Sequence, residues 1–223
     1  MSALTNRQKL ITHFHSKHFI SESYRTLRTN ILFASQHCNL RTIVVTSAIP
    51  GEGKSTTIGN LAIAFAQIEQ KVLLIDADLR KPTIHHLFSL SNRTGLSNLL
   101  YGQCKTTQAI TESIVPNLSI ITAGASVPNP GELIASSRTE LLLEELKSLY
   151  DVILIDTPPL LAVSDAQSLA AQCDAVIYVA SHGKVKREAS QKAVAKLEQV
   201  KANILGVVIN NKKRSKDDYA YYE

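Results

Sequence analysis

Six short apolar runs rich in Val and Ile recur along the chain: 41–47 (RTIVVTS), 71–77 (KVLLIDA), 117–123 (NLSIITA), 151–157 (DVILIDT), 174–180 (DAVIYVA) and 202–210 (ANILGVVIN). They are continuous rather than alternating, which is the pattern of strands covered on both faces of a parallel sheet. Between them the apolar residues take helical spacing. Over 56–70, Ile58, Leu61, Ala62 and Phe65 fall on one stripe, and 140–150, 164–172 and 186–199 look similar. Strands alternating with helices predict a doubly wound α/β domain with a mostly parallel sheet. Val127-Pro-Asn-Pro-Gly131 reads as a local loop, and no repeat or low-complexity linker divides the unit. Residues 1–19, polar and carrying His13, His15 and His18, read as a surface arm, since nothing completes a metal-ligand set with them. The domain then spans 20–210, and 211–223 form a basic, tyrosine-rich tail.

Composition narrows the class without changing this picture. With 223 residues, 44% hydrophobic and 19% charged, the chain suits one soluble globular domain. No apolar run approaches the ~18–20 residues of a membrane span. The first residues lack the apolar core of a secretory signal. Three scattered cysteines (Cys38, Cys104, Cys173) without a CxxC pair argue for a reducing cytosol and against a disulfide or zinc framework. The net charge of +5 allows an anionic partner, but equally a solvated basic surface. Part of it is local, in Lys212, Lys213, Arg214 and Lys216.

Chemistry enters with Ala48-Ile-Pro-Gly-Glu-Gly-Lys-Ser55, placed between a strand and a helix as a phosphate-binding loop requires. Gly51, Glu52 and Gly53 would turn backbone N–H groups toward phosphate oxygens, and the N-terminus of the next helix, through Thr56, adds its partial positive charge. Lys54 would reach the β- and γ-phosphates, and Ser55 would ligate Mg²⁺. Next comes Leu74-Ile-Asp-Ala-Asp-Leu-Arg80. In an extended segment Asp76 and Asp78 share a face, at the strand end where open α/β sheets bind ligands. Two carboxylates there can hold Mg²⁺ through water, or one can take a proton. A third element, Val152-Ile-Leu-Ile-Asp156, is an apolar strand ending in one acid that reaches Mg²⁺. Three strand-end signals on one site predict Mg²⁺-nucleotide binding. Asn211-Lys-Lys-Arg214 lacks the aspartate of a guanine-reading NKxD motif, which favours ATP. Asn210 fits equally an adenine contact or a turn asparagine.

A phosphate loop binds phosphates without saying what is done with them. Of seven tyrosines, three (Tyr219, Tyr221, Tyr222) lie in the last five residues. A terminus has no core in which to bury them, so binding or modification is the expectation.

Taken together, SAIPGEGKST (47–56), LLIDADLRKP (73–82), VILIDTPP (152–159) and the terminal tyrosines resemble the bacterial tyrosine kinases of the capsular and exopolysaccharide type, from about residue 20 to the end. The fold implied is the deviant Walker A P-loop NTPase fold, shared with ATPases that partition DNA or place division sites. Those carry an extra lysine in a KGGxGK pattern, where this chain has Ile49. The resemblance implies ATP and Mg²⁺ as cofactors, Lys54 and Ser55 on phosphates and metal, and Asp78 and Asp156 completing the metal environment. It implies Asp76 as general base and a terminal tyrosine as acceptor, and Arg80 could steady the transferred phosphoryl group. Glu22, Arg25 and Arg28 match an ExxRxxR pattern that in the family supports a ring-shaped homo-oligomer, such as an octamer, with phosphorylation in trans; spacing alone equally allows an intrahelical ion pair. Also implied are a membrane activator with a cytoplasmic tail, a tyrosine phosphatase, and protein substrates of polysaccharide synthesis. The expected place is the cytoplasm, at the inner face of the membrane through that partner, with no nucleic acid bound. The competing expectations are a positioning or partition ATPase acting as a switch, and a scaffold that binds ATP with little chemistry.

Overall fold

The computed structural model describes residues 9–35 and 40–212. The strands are β1 (Thr42–Ser47), β2 (Val72–Asp76), β3 (Ile110–Glu112), β4 (Leu118–Ile121), β5 (Val152–Asp156), β6 (Ala175–Ser181) and β7 (Ile204–Asn210). The helices are α1 (Ile11–Phe14), α2 (Phe19–Ser35), α3 (Lys54–Ala66), α4 (Ile84–Phe88), α5 (Leu96–Leu100), α6 (Thr106–Ala109), α7 (Pro130–Ile134), α8 (Ser137–Lys147), α9 (Asp165–Gln172) and α10 (Arg187–Gln199). The strands form one sheet in the order β3-β4-β2-β5-β1-β6-β7. Every pairing is parallel except β3 with β4.

All six apolar runs become strands. β1, β2, β5 and β6 are buried along their whole length, which is why their sequences do not alternate. Their side chains nonetheless divide by parity. Val44, Leu73, Ile75, Ile153 and Ile155 enter the core on one face, with Leu142, Leu146 and Leu169 from α8 and α9. Ile43, Val45, Leu74 and Leu154 enter the other, with Ile58, Leu61 and Phe65 from α3. The result is a helix–sheet–helix sandwich. β3, three partly exposed residues, left no apolar run to read. It closes the sheet edge as an antiparallel strand.

The N-terminal segment departs from the expected surface arm. Leu10 is 1% exposed and belongs to the core against α3. The buried Asn60 of α3 clamps the backbone beside it: its Oδ1 accepts from Thr12 N (3.0 Å), and its Nδ2 donates to Lys9 O (2.9 Å). A polar residue alone inside an apolar helix face must find such partners, because leaving its amide unpaired would cost about 1–3 kcal/mol. Lys213, Arg214, Lys216, Tyr219, Tyr221, Tyr222 and Cys38 lie outside the described residues. Among the described residues no helix is long and apolar enough to cross a membrane.

A phosphate-loop cleft as the candidate active site

The loop after β1 turns on two left-handed glycines, Gly51 (φ 75°) and Gly53 (φ 92°), before α3 begins at Lys54. A side chain at Gly53 would be strained by that φ, and its Cβ would also collide with the Asn210 amide. Glu52 points inward rather than to the cleft. It is fully buried, and its carboxylate accepts from Ile49 N (2.9 Å) and Ser181 N (3.1 Å). Asn210 Nδ2 donates to Glu52 O (2.9 Å), and Lys184 Nζ donates to Gly51 O (2.8 Å). The loop is therefore pinned to the ends of β6 and β7, which holds its shape before any phosphate arrives. In this structure Asn210 is a loop-positioning residue, and Glu52 offers a nucleotide only its backbone.

The acids meet because parallel register aligns strand ends. Asp76 on β2 stands opposite Asp156 on β5, and Asp156 in turn stands opposite Val45 on β1, two residues short of Ser47 at the start of the loop. Asp156 is fully buried, and neither carboxylate oxygen makes a hydrogen bond of normal geometry. Burial pushes it up to about 6, while the Lys54 ammonium and the Ser55 hydroxyl draw it down. Asp76 is also fully buried but well partnered. Its Oδ2 accepts from Thr83 N and Ile84 N (both 3.0 Å), and its Oδ1 accepts from Asp78 N (3.2 Å). Burial first, and the charge of Asp156 second, raise it well above the ordinary carboxylate range.

The expected shared face of Asp76 and Asp78 does not form. β2 ends at Asp76, so the alternation stops there and the chain turns. Asp78 faces the cleft instead, and its Oδ1 accepts from Lys81 N (2.9 Å). Arg80 also lines the cleft, held by a paired contact from its Nε and Nη2 to the buried Asp165 (2.9 and 3.2 Å). Asp165, Lys184, Asn60 and Lys9 were not singled out from sequence. Only Asn60, polar amid buried apolar neighbours on α3, left a readable signal.

These residues enclose a cleft of about 440 Å³. Gly51, Gly53, Lys54, Ser55, Thr56, Asp78 and Arg80 all line it, whereas Glu52, Asp76, Asp156 and Asn210 lie behind its surface. Opposite the loop stand Pro158, Pro159, Ala162 and Val163. The donor set fits Mg²⁺: orphaned buried oxygens on Asp156, the Ser55 hydroxyl, and a cleft-facing Asp78. Among the described residues no three His, Cys, Asp or Glu form a closed metal cage. That suits an ion that keeps waters and takes phosphate oxygens.

The 22–28 segment lies on α2, away from the loop. Glu22 and Arg25 form the intrahelical pair that spacing also allowed, and Arg25 Nη2 donates to Ser16 O (2.7 Å). Arg28 turns inward and donates to Ala64 O at the end of α3 (2.9 Å).

A family model described as an AAA domain matches residues 40–212. The tyrosine-protein kinase YwqD of Bacillus subtilis (strain 168) is 47% identical over 91% of this chain and 86% of its own. The crystal structure of the chimerical protein CapA2B2 superposes with a TM-score of 0.89 at 39% identity, covering 93% of this chain and 91% of that one. The division-site protein MinD of Pyrococcus horikoshii OT3, solved with Mg-ADP, is more distant: TM-score 0.67 at 28% identity, over 79% and 72% of the two chains. The phosphate-loop site is thus common to both groups, but the likeness to the kinases runs through nearly the entire chain. The chain belongs to the bacterial tyrosine-kinase family, built on the α/β P-loop NTPase fold.

Proposed function

We propose that the chain transfers the γ-phosphoryl group of ATP to tyrosines in the tail of a neighbouring copy, Tyr219, Tyr221 and Tyr222, and so takes part in control of exopolysaccharide or capsule synthesis. The observation that carries the reading is the cleft's composition: phosphate loop and acids on one side, a dry wall of Pro158, Pro159, Ala162 and Val163 on the other. A hydrolytic switch needs only water beside the phosphate. An aromatic acceptor needs an apolar surface within reach of it.

Lys54 and the loop N–H groups bind and orient the phosphates, and Arg80 adds positive charge at the cleft wall. Bound Mg²⁺, held by Ser55 with Asp78 and Asp156, would neutralise charge on the transferring group. Tyrosine has a pKa of about 10, so its hydroxyl must lose a proton as it attacks. The new O–P bond forms as the bond to the β-phosphate oxygen breaks, and ADP departs. The proton goes to the Asp76/Asp78 pair. Asp76 is the stronger base because its carboxyl is raised toward the phenol, and Asp78 is the member that the cleft presents. The cytoplasmic membrane face, a membrane activator with a cytoplasmic tail, a phosphatase and a ring assembly through Glu22, Arg25 and Arg28 belong to the same reading.

The test is full-length protein with Mg²⁺-ATP, mixed with Lys54→Met copies as acceptors, with and without candidate activator tails. Intact mass and phosphopeptide mapping are the readouts. Phosphate on Tyr219, Tyr221 or Tyr222 of the Lys54→Met copies supports transfer in trans. ADP release without phosphotyrosine overturns the kinase reading in favour of a switch ATPase.

A further inference from the structure

Two lysines in the cleft wall have no part in the chemistry above, yet both are held firmly in place. Lys9 reaches the cleft because residues 9–12 are clamped to α3, the helix that the phosphate loop opens. Leu10, buried in the core, fixes the same turn from the other side. Lys81 reaches the cleft because its own N–H is tied to the Asp78 carboxylate. Arg80, between them in the lining, already faces the buried carboxylate of Asp165. Net positive charge in the wall therefore resides on Lys9 and Lys81, beside the apolar surface of Pro158, Pro159, Ala162 and Val163. A peptide complementary to this wall would combine an aromatic ring with flanking acidic groups.

The chain itself ends in such a peptide. Asp217 and Asp218 precede Tyr219 directly, and Glu223 follows Tyr222. We propose that Lys9 and Lys81 are specificity-determining residues that select acceptor tyrosines with acidic neighbours, the occupant of the cleft being residues 217–223 of a second copy. The inference rests on the kinase reading and adds the rule by which the acceptor is chosen. Each exposed charge pair is worth roughly 0.2–1 kcal/mol, so two or three together amount to about tenfold in kcat/KM at low salt. The preference is electrostatic, so added salt weakens it.

The experiment uses full-length chains throughout. Lys54→Met copies serve as acceptors with three tails: unchanged, neutral (Asp217→Asn, Asp218→Asn, Glu223→Gln) and reversed (Asp217→Lys, Asp218→Lys). The phosphorylating copies are wild type or Lys9→Glu/Lys81→Glu, and initial rates of acceptor phosphorylation are read by intact mass at low and high salt. Wild type is expected to favour the unchanged tail over the neutral one about tenfold in kcat/KM, with KM for ATP unaffected by the tail and the ratio shrinking in salt. Lys9→Glu/Lys81→Glu is expected to invert the order and favour the reversed tail. Equal rates on all three tails with wild type overturn the inference, and this arm needs no variant of the cleft. The same ranking of tails by wild type and by Lys9→Glu/Lys81→Glu overturns it too. Failure of wild type to phosphorylate any tail while releasing ADP overturns the kinase reading itself, and the inference with it.

Discussion

At the amino-terminal end of the sheet, just before β6, Asp174 accepts hydrogen bonds from Arg41 N (2.9 Å), Thr42 N (2.7 Å) and Thr42 Oγ1 (2.8 Å). At the carboxyl-terminal end Asp156 closes β5 with both oxygens buried and unpartnered. Burial tends to raise both carboxyls. At Asp174 the Thr42 and Arg41 donors outweigh burial and leave it below the ordinary range, while Asp156 rises to about 6. The first arrangement closes the energy account within the fold. The second leaves a deficit that a cation and phosphate can make good, which is how a stable scaffold can carry a site that is strained until its ligand binds.

The sharpest way to break this contrast is at the loop. Lys54→Met is expected to lower phosphotyrosine formation by at least about 100-fold, because it removes the charge that meets the developing negative charge in the transition state. Asp174→Asn is expected to leave transfer per folded molecule unchanged. Single-turnover mass spectrometry reads both.

Stability then separates the two aspartates by sign. Asp156→Asn removes a buried charge without a partner and is expected to stabilise the free protein by about 1–3 kcal/mol at neutral pH, while Mg²⁺-dependent transfer falls. Asp174→Ala strands the N–H groups of Arg41 and Thr42 and is expected to cost about 1–3 kcal/mol. Urea unfolding without nucleotide measures both, and a loss of stability in Asp156→Asn would sink the argument.

A pH series tests the same contrast more gently. Asp156 has a folded value of about 6, above its unfolded value of about 3.9, so its stabilising share is full below about pH 4 and is lost as pH rises through 6. Asp76, raised as well, acts in the same direction. Asp174 has a lowered folded value, so its share is present above about pH 4 and lost as pH falls further. Nucleotide-free protein is therefore expected to be most stable between about pH 4 and 6. Asp156→Asn should flatten the neutral side of that curve, and Asp174→Asn the acid side.

The smallest effect is expected on α2. Replacing Arg25 and Arg28 with Ala removes the bonds to Ser16 O and Ala64 O and should cost about 1–2 kcal/mol. It should also dissociate any ring, with poorer transfer in trans. An unchanged mass on light scattering would remove these residues from the interface.

How much of this was legible depends on whether each signal is local. The order of strands and helices, the phosphate loop and three strand-end acids are contiguous in sequence, because a covered parallel strand, a glycine turn and a helix start each need particular residues in a row. β3 was not legible, being three residues paired only because β4 lies beside it. The burial of Leu10 was not legible either, since it depends on α3 fifty residues away.

The sequence by itself determined that this chain is an α/β phosphate-loop protein with acids at its strand ends and acceptor tyrosines in its tail. Tertiary structure alone decided which acid lacks donors, that Glu52 and Asn210 brace the loop, that Asp165 holds Arg80, and that Lys9 and Lys81 share a wall with two prolines. Those outcomes turn on register between strands and on contacts across 80 or more residues, as between Arg80 and Asp165 or Glu52 and Asn210. Side-chain type is written locally, but the partner that fixes its charge and direction is supplied by the fold.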